Sequence, residues 1–114
     1  MQAALDAKVY SVAMIAYNIC NHAYVDQALE RARRANFGVI AMKVARPVWN
    51  GRSPRVPDDP ARQALIQKAV PGGLKIPQKA YLWVLQNPAV AAVNSELINA
   101  ELVRDNLPLA GTKL

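Results

Sequence analysis

The sequence has little of several features that mark particular classes of protein. Its single cysteine, Cys20, excludes an internal disulfide and a multi-cysteine metal cluster, and a metal site fails on ligand count. No apolar run approaches the ~20 residues of a transmembrane helix, and the first residues lack the basic start and apolar stretch of an export signal. No glycine-rich phosphate loop occurs, so a Rossmann or P-loop interpretation has no support. We therefore expect a cytoplasmic protein with no metal site and no membrane partner.

Acidic residues are scarce in the middle of the chain. Residues 31–79 carry eleven of the fourteen basic residues but only two acids, Asp58 and Asp59, and the whole chain has a formal charge of +6. A basic centre can attract the phosphates of a nucleotide cofactor or of a nucleic acid. The basic residues are scattered and are not interleaved with aromatics, so solvated surface charge is the competing explanation. A nucleic acid is the weaker prediction of the two phosphate-bearing partners.

The composition that is present, 53% hydrophobic and 19% charged over 114 residues, is that of a globular chain with one core. Three apolar runs predict strands at Val9–Ala16, Val39–Val44 and Val90–Val93. The first run fits a strand buried on both faces, as in a parallel sheet. Apolar residues recurring from Val25 to Ala35 predict an amphipathic helix between the first two strands.

Proline, glycine and asparagine mark the other boundaries. Three prolines and a glycine predict a loop at 46–57. Three further helices are predicted: one after an Asp59 cap, which carries Ala61, Leu65 and Ala69; one from Pro77; and one from an Asn99 cap to Asn106. The order strand, helix, strand, two helices, strand, helix predicts an α/β fold of parallel βαβ units. Both outer strands have unpaired edges, which we expect a second copy or a further part of the protein to cover.

Three stretches carry a resemblance to a known family: Met14–Asn18 (MIAYN), Gly38–Pro47 (GVIAMKVARP) and Ala80–Leu107 (AYLWVLQNPAVAAVNSELINAELVRDNL). Together they resemble the aldo/keto reductases, nicotinamide-dependent oxidoreductases with a (β/α)₈ TIM barrel. In the last stretch the similar residues are Trp83, Asn87-Pro88, Ser95, Asn99 and Asp105-Asn106-Leu107. The resemblance covers residues 5–110. It implies that residues 1–114 form a single incomplete domain, the C-terminal portion of a barrel, with strands six to eight.

The resemblance also implies a function for the complete barrel, which needs roughly 250 residues. That function is reduction of a small carbonyl substrate with NADP or NAD as cofactor. The family's catalytic Asp, Tyr, Lys and His come from the first four strands, so this chain holds no catalytic residue and is expected to be inactive alone. The loops after the strands carry the cofactor-binding residues implied by the resemblance: Tyr17, Asn18, Met42, Lys43, Ser95, Glu96, Asn99, Arg104 and Asn106.

Several positions depart from the family pattern. Met14 replaces a carboxamide-binding glutamine, and Met42 replaces the aromatic that stacks on the nicotinamide, although a thioether can pack against a ring. Glu96 lies where other members hold the 2′-phosphate with a lysine, which favours NAD. Arg104 can still supply a cation, which favours NADP. The choice between the two cofactors therefore stays open.

Each implied site residue has a structural alternative. Tyr17 and Asn18 are equally explained as strand-end residues, Met42 as barrel core, and Asn106, implied to contact the adenine, as a helix-ending residue. Asn99 is implied to lie beside the ribose phosphate. A lysine inside an apolar run needs a partner, so Lys43 is expected to face cofactor or substrate.

Two other interpretations of the sequence concern a possible catalytic pair and a non-enzymatic function. Cys20 and His22 are two residues apart, but without a third orienting group they are weak evidence for a nucleophile and its base. The alternative function is a stand-alone basic βαβ module that binds a phosphate-bearing ligand or a nucleic acid and has no enzymatic activity.

Overall fold

The computed structural model describes residues 1–49 and 57–114, so most of the predicted loop at 46–57 lies outside the described residues. The elements in chain order are α1 (Gln2–Ala7), β1 (Val12–Ala16), α2 (His22–Arg34), β2 (Gly38–Met42), α3 (Pro60–Ala69), α4 (Ile76–Leu85), β3 (Ala92–Val93), α5 (Ala100–Asn106) and a 3₁₀ turn (Leu107–Leu109). The strands form one parallel sheet in the order β1-β2-β3. The predicted α/β class, with three parallel strands and flanking helices, is confirmed.

Two predicted helix caps are present in the structure. The Asp59 carboxylate accepts hydrogen bonds from the main-chain N–H groups of Ala61 and Arg62, at 3.0 and 3.2 Å, and Pro60 occupies the first turn of α3. The Asn99 Oδ1 atom accepts a hydrogen bond from the Leu102 N–H at 2.9 Å and begins α5. Each cap satisfies N–H groups that have no partner within the helix.

All three strands are shorter than the apolar runs that predict them. Pairing begins only where Val12 lies opposite Gly38, and Val9 and Tyr10 are 75% and 60% exposed because β2 has no earlier residue to pair with them. The chain before Gly38 is still occupied by α2 and by a turn in which Asn36 has a φ of 52°. At the other end, β2 stops at Met42 because Lys43 turns into the left-handed region with a φ of 55°. The length of an apolar run therefore overestimates the length of a strand when the neighbouring strand is shorter.

The sheet has a covered face and an open face. The register places Ala13, Ile15, Val39, Ala41 and Val93 on the covered face, where α2 packs against β2 and α4 against β3. Val39 and Ala41 are fully buried there, and the core lies between this face and the helices. The open face carries Val12, Met14, Ile40, Met42 and Ala92, and Val12 and Met14 are about half exposed. The prediction that the first strand is buried on both faces is wrong for the described residues, because these helices pack against only one face.

Two helices differ from the sequence prediction. On α3 the buried residue is Ile66, whereas Leu65, one of the apolar residues from which the helix was predicted, is 52% exposed. Helix α1 was not predicted, since its six residues show no long apolar period. It packs through the buried Leu5 and is tied to α2 by Arg31, which donates hydrogen bonds to Gln2 and Asp6.

Candidate functional site

A cleft of about 1070 Å³ opens at the carboxyl end of the sheet. Its described walls include the end of β2 and the residues after it, the start of α3, the residues after β3, the first half of α4 and one side of α5. Clefts that bind small molecules are typically ~300–1,000 Å³, so this one has room for a ligand of nucleotide size. In folds with parallel strands the carboxyl ends of the strands are also the usual place for a ligand.

Six of the nine predicted site residues line this cleft: Met42, Lys43, Ser95, Glu96, Asn99 and Asn106. They come from three separate segments: the end of β2 with the next residue, the residues after β3, and α5 with its cap. Their proximity is a result of the parallel sheet order, which brings the ends of β2 and β3 side by side. Their individual roles toward a cofactor stay predictions.

Tyr17 does not line the cleft and is 3% exposed. Its hydroxyl donates to the Asp26 Oδ1 atom at 2.7 Å and accepts from the Asn87 Nδ2 atom at 3.0 Å, so it links β1 to α2 and to the end of α4. Burial of the phenol, reinforced by the hydrogen bond to Asp26, raises the pKa of Tyr17 to about 12. These contacts favour the structural alternative for this residue.

Asn18 is also buried, at 5% exposed, and its side-chain amide is engaged at both ends. The Nδ2 atom donates to the main-chain carbonyl of Lys43 at 3.3 Å, and the Oδ1 atom accepts from the Cys20 N–H at 3.0 Å. Asn21 supports the same turn, because its Oδ1 atom accepts from the Asn18 N–H and its Nδ2 atom donates to the Ala16 carbonyl. Asn18 therefore connects the ends of β1 and β2 and does not face the cleft.

Arg104 is the third predicted residue outside the cleft lining. It lies exposed in the last turn of α5, where a cation interacts favourably with the helix dipole. Asn99 does line the cleft, but its oxygen is committed to capping α5, which leaves its amide nitrogen for a ligand. The side chain of Asn106 has no protein partner within the described part of the chain and retains its full hydrogen-bonding capacity.

The charges of the cleft fall into paired and unpaired groups. The Lys75 ammonium lies 2.6 Å from the Asp105 carboxylate and 3.3 Å from the Glu101 carboxylate, and these hydrogen bonds raise the pKa of Lys75. Asp58 and Glu96 are also engaged in interactions. Lys43 and Arg46 line the cleft without a carboxylate partner among residues 1–49 and 57–114. Among the described lining residues the four carboxylates outnumber the three cations, and Lys43 and Arg46 are the cations that none of these carboxylates engages.

Several cleft residues were not among the predicted site residues: Arg46, Trp49, Lys75, Gln78, Tyr81 and Asn94. Lys75 and Gln78 form one polar unit at the start of α4, where the Gln78 Oε1 atom accepts from the Lys75 N–H at 2.9 Å. Gln78 also donates to the Asp105 carbonyl at 2.8 Å, which fixes α5 against α4. A residue at the start of a helix with a glutamine three positions later is a recognisable capping pattern. It is difficult to identify here because lysine is not a usual capping residue.

Among the described residues no hydrogen bond joins the Cys20 thiol to the His22 ring. The His22 Nδ1 atom lies 3.0 Å from the Asp26 Oδ2 atom, and its ring stands edge-on to Trp83 with the centroids 5.3 Å apart. Cys20 is exposed and contributes its main-chain N–H to the turn held by Asn18. No group of three metal-ligating side chains occurs within the described ranges.

Comparison of the chain with protein-family models, with curated proteins and with solved structures gives no match. Within the described segments, no helix combines the length and the apolar content that crossing a bilayer demands. Function is therefore inferred from the cleft and from the residues that line it.

Proposed function

We propose that the cleft binds a nicotinamide dinucleotide and that the chain is the cofactor-binding part of an aldo/keto reductase-like (β/α)₈ barrel. One observation carries this proposal: six residues that the resemblance assigns to the cofactor, drawn from three segments, line a single cleft at the carboxyl end of a parallel sheet. Ligands of (β/α)₈ enzymes bind at that end. When bound, the nicotinamide supplies hydride chemistry toward a small carbonyl compound, and the chain's own residues hold and orient the dinucleotide.

The donors and acceptors of the cleft fit such a ligand. Lys43 and Arg46, which have no carboxylate partner in the described part of the chain, supply cations for two linked phosphates. Ser95 and the amide of Asn106 can hydrogen-bond sugar hydroxyls or a purine edge. The thioether of Met42, half-buried at the end of β2, is suited to packing against the face of a ring. Charge, hydrogen bonding and an apolar contact are thus all available in one place.

The two tryptophans provide a test, because they lie in different surroundings. Trp49 lines the cleft, whereas Trp83 packs with its ring centroid 5.8 Å from that of Tyr17 and 5.3 Å from that of His22. We expect NADH or NADPH to quench the fluorescence of the Trp83→Phe variant saturably, since Trp49 is then the only tryptophan and lies beside the ligand. The matched variant Trp49→Phe should lose most of the quenching while the dissociation constant, measured by calorimetry, stays within about threefold.

Two outcomes of the cofactor titration would contradict the proposal. If neither dinucleotide gives saturable quenching or measurable heat, the cleft is not a cofactor site. If both variants are quenched equally, the ligand binds elsewhere. Running NADH and NADPH in parallel decides the cofactor, because the 2′-phosphate of NADPH is the only chemical difference between the two dinucleotides.

The stand-alone basic module is less well supported by the charges. Much of the basic excess is neutralised locally: Arg33 and Arg34 donate to Glu30, Arg31 to Asp6, and Arg62 lies 3.4 Å from Asp59. The two arginines lower the pKa of Glu30 to about 2. Such pairs leave fewer cations for a nucleic acid backbone. Single-stranded DNA that binds with a steep salt dependence would favour the module over the reductase proposal.

A further inference from the structure

Helix α5 forms one side of the cleft but contributes little to the hydrophobic core. Every residue from 94 to 108 is exposed or half-buried, and α5 contains no buried residue. Its apolar residues Leu102 and Val103 belong neither to the core of the described residues nor to the half-buried residues that pack against it. Segments with few buried apolar contacts are the parts of a protein that open most easily. The stability of α5 in its present position therefore comes largely from polar contacts.

Three polar contacts join α5 to the start of α4. The Lys75 ammonium lies 2.6 Å from the Asp105 carboxylate and 3.3 Å from the Glu101 carboxylate. The Gln78 Nε2 atom donates to the Asp105 carbonyl at 2.8 Å. The Lys75 side chain is 57% exposed, so its two ion pairs lie in contact with solvent. Two of the three contacts thus depend on one exposed ammonium group.

The chain on both sides of α5 is held more firmly than the helix itself. Before the helix, the Asn94 N–H donates to the Ala41 carbonyl of β2 at 2.8 Å. After the helix, Leu109 is 5% exposed and belongs to the hydrophobic core. Residues 95–108, which we call the flap, therefore lie between two fixed points and contain no buried residue.

The flap carries much of the polar lining of the cleft. The lining residues of α5 and its cap are Asn99, Glu101, Leu102, Asp105 and Asn106. Movement of the flap about its two fixed points would displace all of these together. The sheet and the buried residues beneath it would keep their positions, because none of the buried residues lies on the flap.

We propose that the flap opens as a unit away from the cleft and that Lys75, through Asp105 and Glu101, holds it closed. This inference goes beyond the proposed function, because opening of the flap requires no ligand. Only the effect of opening on the exchange of NADH rests on the proposed function. Opening breaks both ion pairs and removes one wall of the cleft.

Hydrogen exchange of single main-chain amides, measured by NMR on the full chain, tests the role of Lys75. The Leu107 N–H donates to the Val103 carbonyl within the flap, and the Val70 N–H donates to the Ile66 carbonyl at the end of α3. Lys75→Met removes the charge and both ion pairs, so it should lower the protection of Leu107 about fivefold. The protection of Val70 should stay unchanged. Equal protection of Leu107 in the wild type and in Lys75→Met would overturn the proposal.

Matched variants separate the charge of Lys75 from its place at the start of α4. Lys75→Arg keeps a cation and should hold the protection of Leu107 within about twofold of the wild type. Lys68→Met removes a charge from α3 outside the cleft lining and should leave Leu107 unchanged. The Lys79 N–H, which donates to the Lys75 carbonyl at 3.0 Å, monitors α4 itself. If Lys75→Met lowers the protection of Lys79 as much as that of Leu107, the substitution damages α4 and the proposal is overturned.

A double-mutant cycle tests whether Lys75 acts through Asp105. Asp105→Asn keeps the size of the side chain and removes its charge, so it should lower the protection of Leu107 in the wild-type background. It should have little further effect in the Lys75→Met background. Additive effects of the two substitutions would show that Asp105 stabilises α5 independently of Lys75, and would overturn the pairing.

The salt dependence of exchange tests the same contacts without relying on a single substitution. Added salt screens exposed charges. Raising the ionic strength should therefore lower the protection of Leu107, relative to that of Val70, in the wild type. The same ratio should stay constant in Lys75→Met. A wild-type ratio that does not change with salt would overturn the ion pairs as the contacts that close the flap.

The exchange of NADH connects the flap to the cleft. NADH enters and leaves a cleft of which the flap is one wall, so opening should set both rates. Lys75→Met should raise the association and the dissociation rate constants together about fivefold, measured by stopped-flow fluorescence of Trp49, which lines the cleft. A residue that only contacts the ligand changes the dissociation rate constant far more than the association rate constant. A change in dissociation alone would overturn the role of the flap in ligand exchange.

The two measurements separate this inference from the proposed function. Faster exchange at Leu107 in Lys75→Met, without any NADH binding, supports the flap and overturns the nicotinamide proposal. NADH binding with unaltered exchange at Leu107 supports the nicotinamide proposal and overturns the flap. Unaltered exchange together with absence of NADH binding overturns both.

Discussion

The covered and open faces of the sheet have similar apolar side chains but very different surroundings. On the covered face Val39 and Ala41 are fully buried beneath α2 and α4, whereas on the open face Val12 and Met14 are 56% and 49% exposed. The difference comes from the connections, since the helices between consecutive parallel strands pack on the same face. Parallel sheets are normally covered on both faces. The buried apolar residues of the sheet therefore lie between one face and its helices.

The largest expected effect is on the covered face. Leu29 lies on α2, is 1% exposed and belongs to the core. Leu29→Ala should lower the free energy of unfolding by about 3 kcal/mol, because it leaves a cavity as well as removing buried apolar surface. Leu65→Ala on α3 is the matched control in another helix, and its 52% exposed side chain predicts a loss below about 1 kcal/mol. Urea unfolding of both variants measures the difference, and equal losses would show that the core is not where the structure places it.

A smaller effect compares the faces directly with one substitution made twice. Val39→Thr buries a hydroxyl group on the covered face and should cost about 2 kcal/mol. Val12→Thr, on the half-exposed position of the open face, should change the free energy of unfolding by less than about 0.5 kcal/mol. A similar cost at both positions, measured by urea unfolding, would mean that another molecule or segment covers the open face in solution.

The smallest effect concerns the residue that closes the covered side at the end of β1. Tyr17→Phe removes the hydrogen bonds to Asp26 and Asn87 and should cost about 1 kcal/mol near neutral pH. Because the folded pKa of Tyr17 is raised from 10.0 to about 12, its contribution is complete below pH 10 and is lost as the pH rises toward 12. The difference in unfolding free energy between wild type and Tyr17→Phe should therefore shrink above pH 10.

The control for this pH dependence is Tyr24→Phe, which alters a tyrosine that is 78% exposed. It should follow the wild-type stability curve across the alkaline range. If Tyr24→Phe changes the curve as much as Tyr17→Phe, the alkaline loss of stability does not come from the buried phenol.

The order and type of the elements could be predicted from the sequence because the apolar periods and caps are local signals. Asp59-Pro60 and Asn99 begin their helices as expected. The strand ends could not be predicted, since they depend on the length of the neighbouring strand and on the left-handed turn at Lys43. The burial of only one sheet face could not be predicted either. An apolar run looks the same in the sequence whether or not a helix covers the strand that it forms.

The identity of the residues that line the cleft was also partly predictable from the sequence. Residues that follow parallel strands meet at one edge, so Met42, Lys43 and Ser95 could be placed together. Whether a side chain turns inward or outward from that edge depends on its hydrogen-bond partners. Tyr17 and Asn18 turn inward because they form hydrogen bonds with Asp26, Asn87 and the Lys43 carbonyl. No local pattern in the sequence indicates these distant partners.

The strand order has a consequence for how the chain is made. β2 pairs with β1, and β3 pairs with β2, so each of these two strands leaves the ribosome after its neighbour has been synthesised. Pairing of near neighbours keeps loop closure short, which favours fast assembly. The last strand adds only the Ile40–Ala92 and Ala41–Val93 pairs. The β1-α2-β2 unit can therefore form first during translation, and β3 with α5 completes the rim of the cleft at the end.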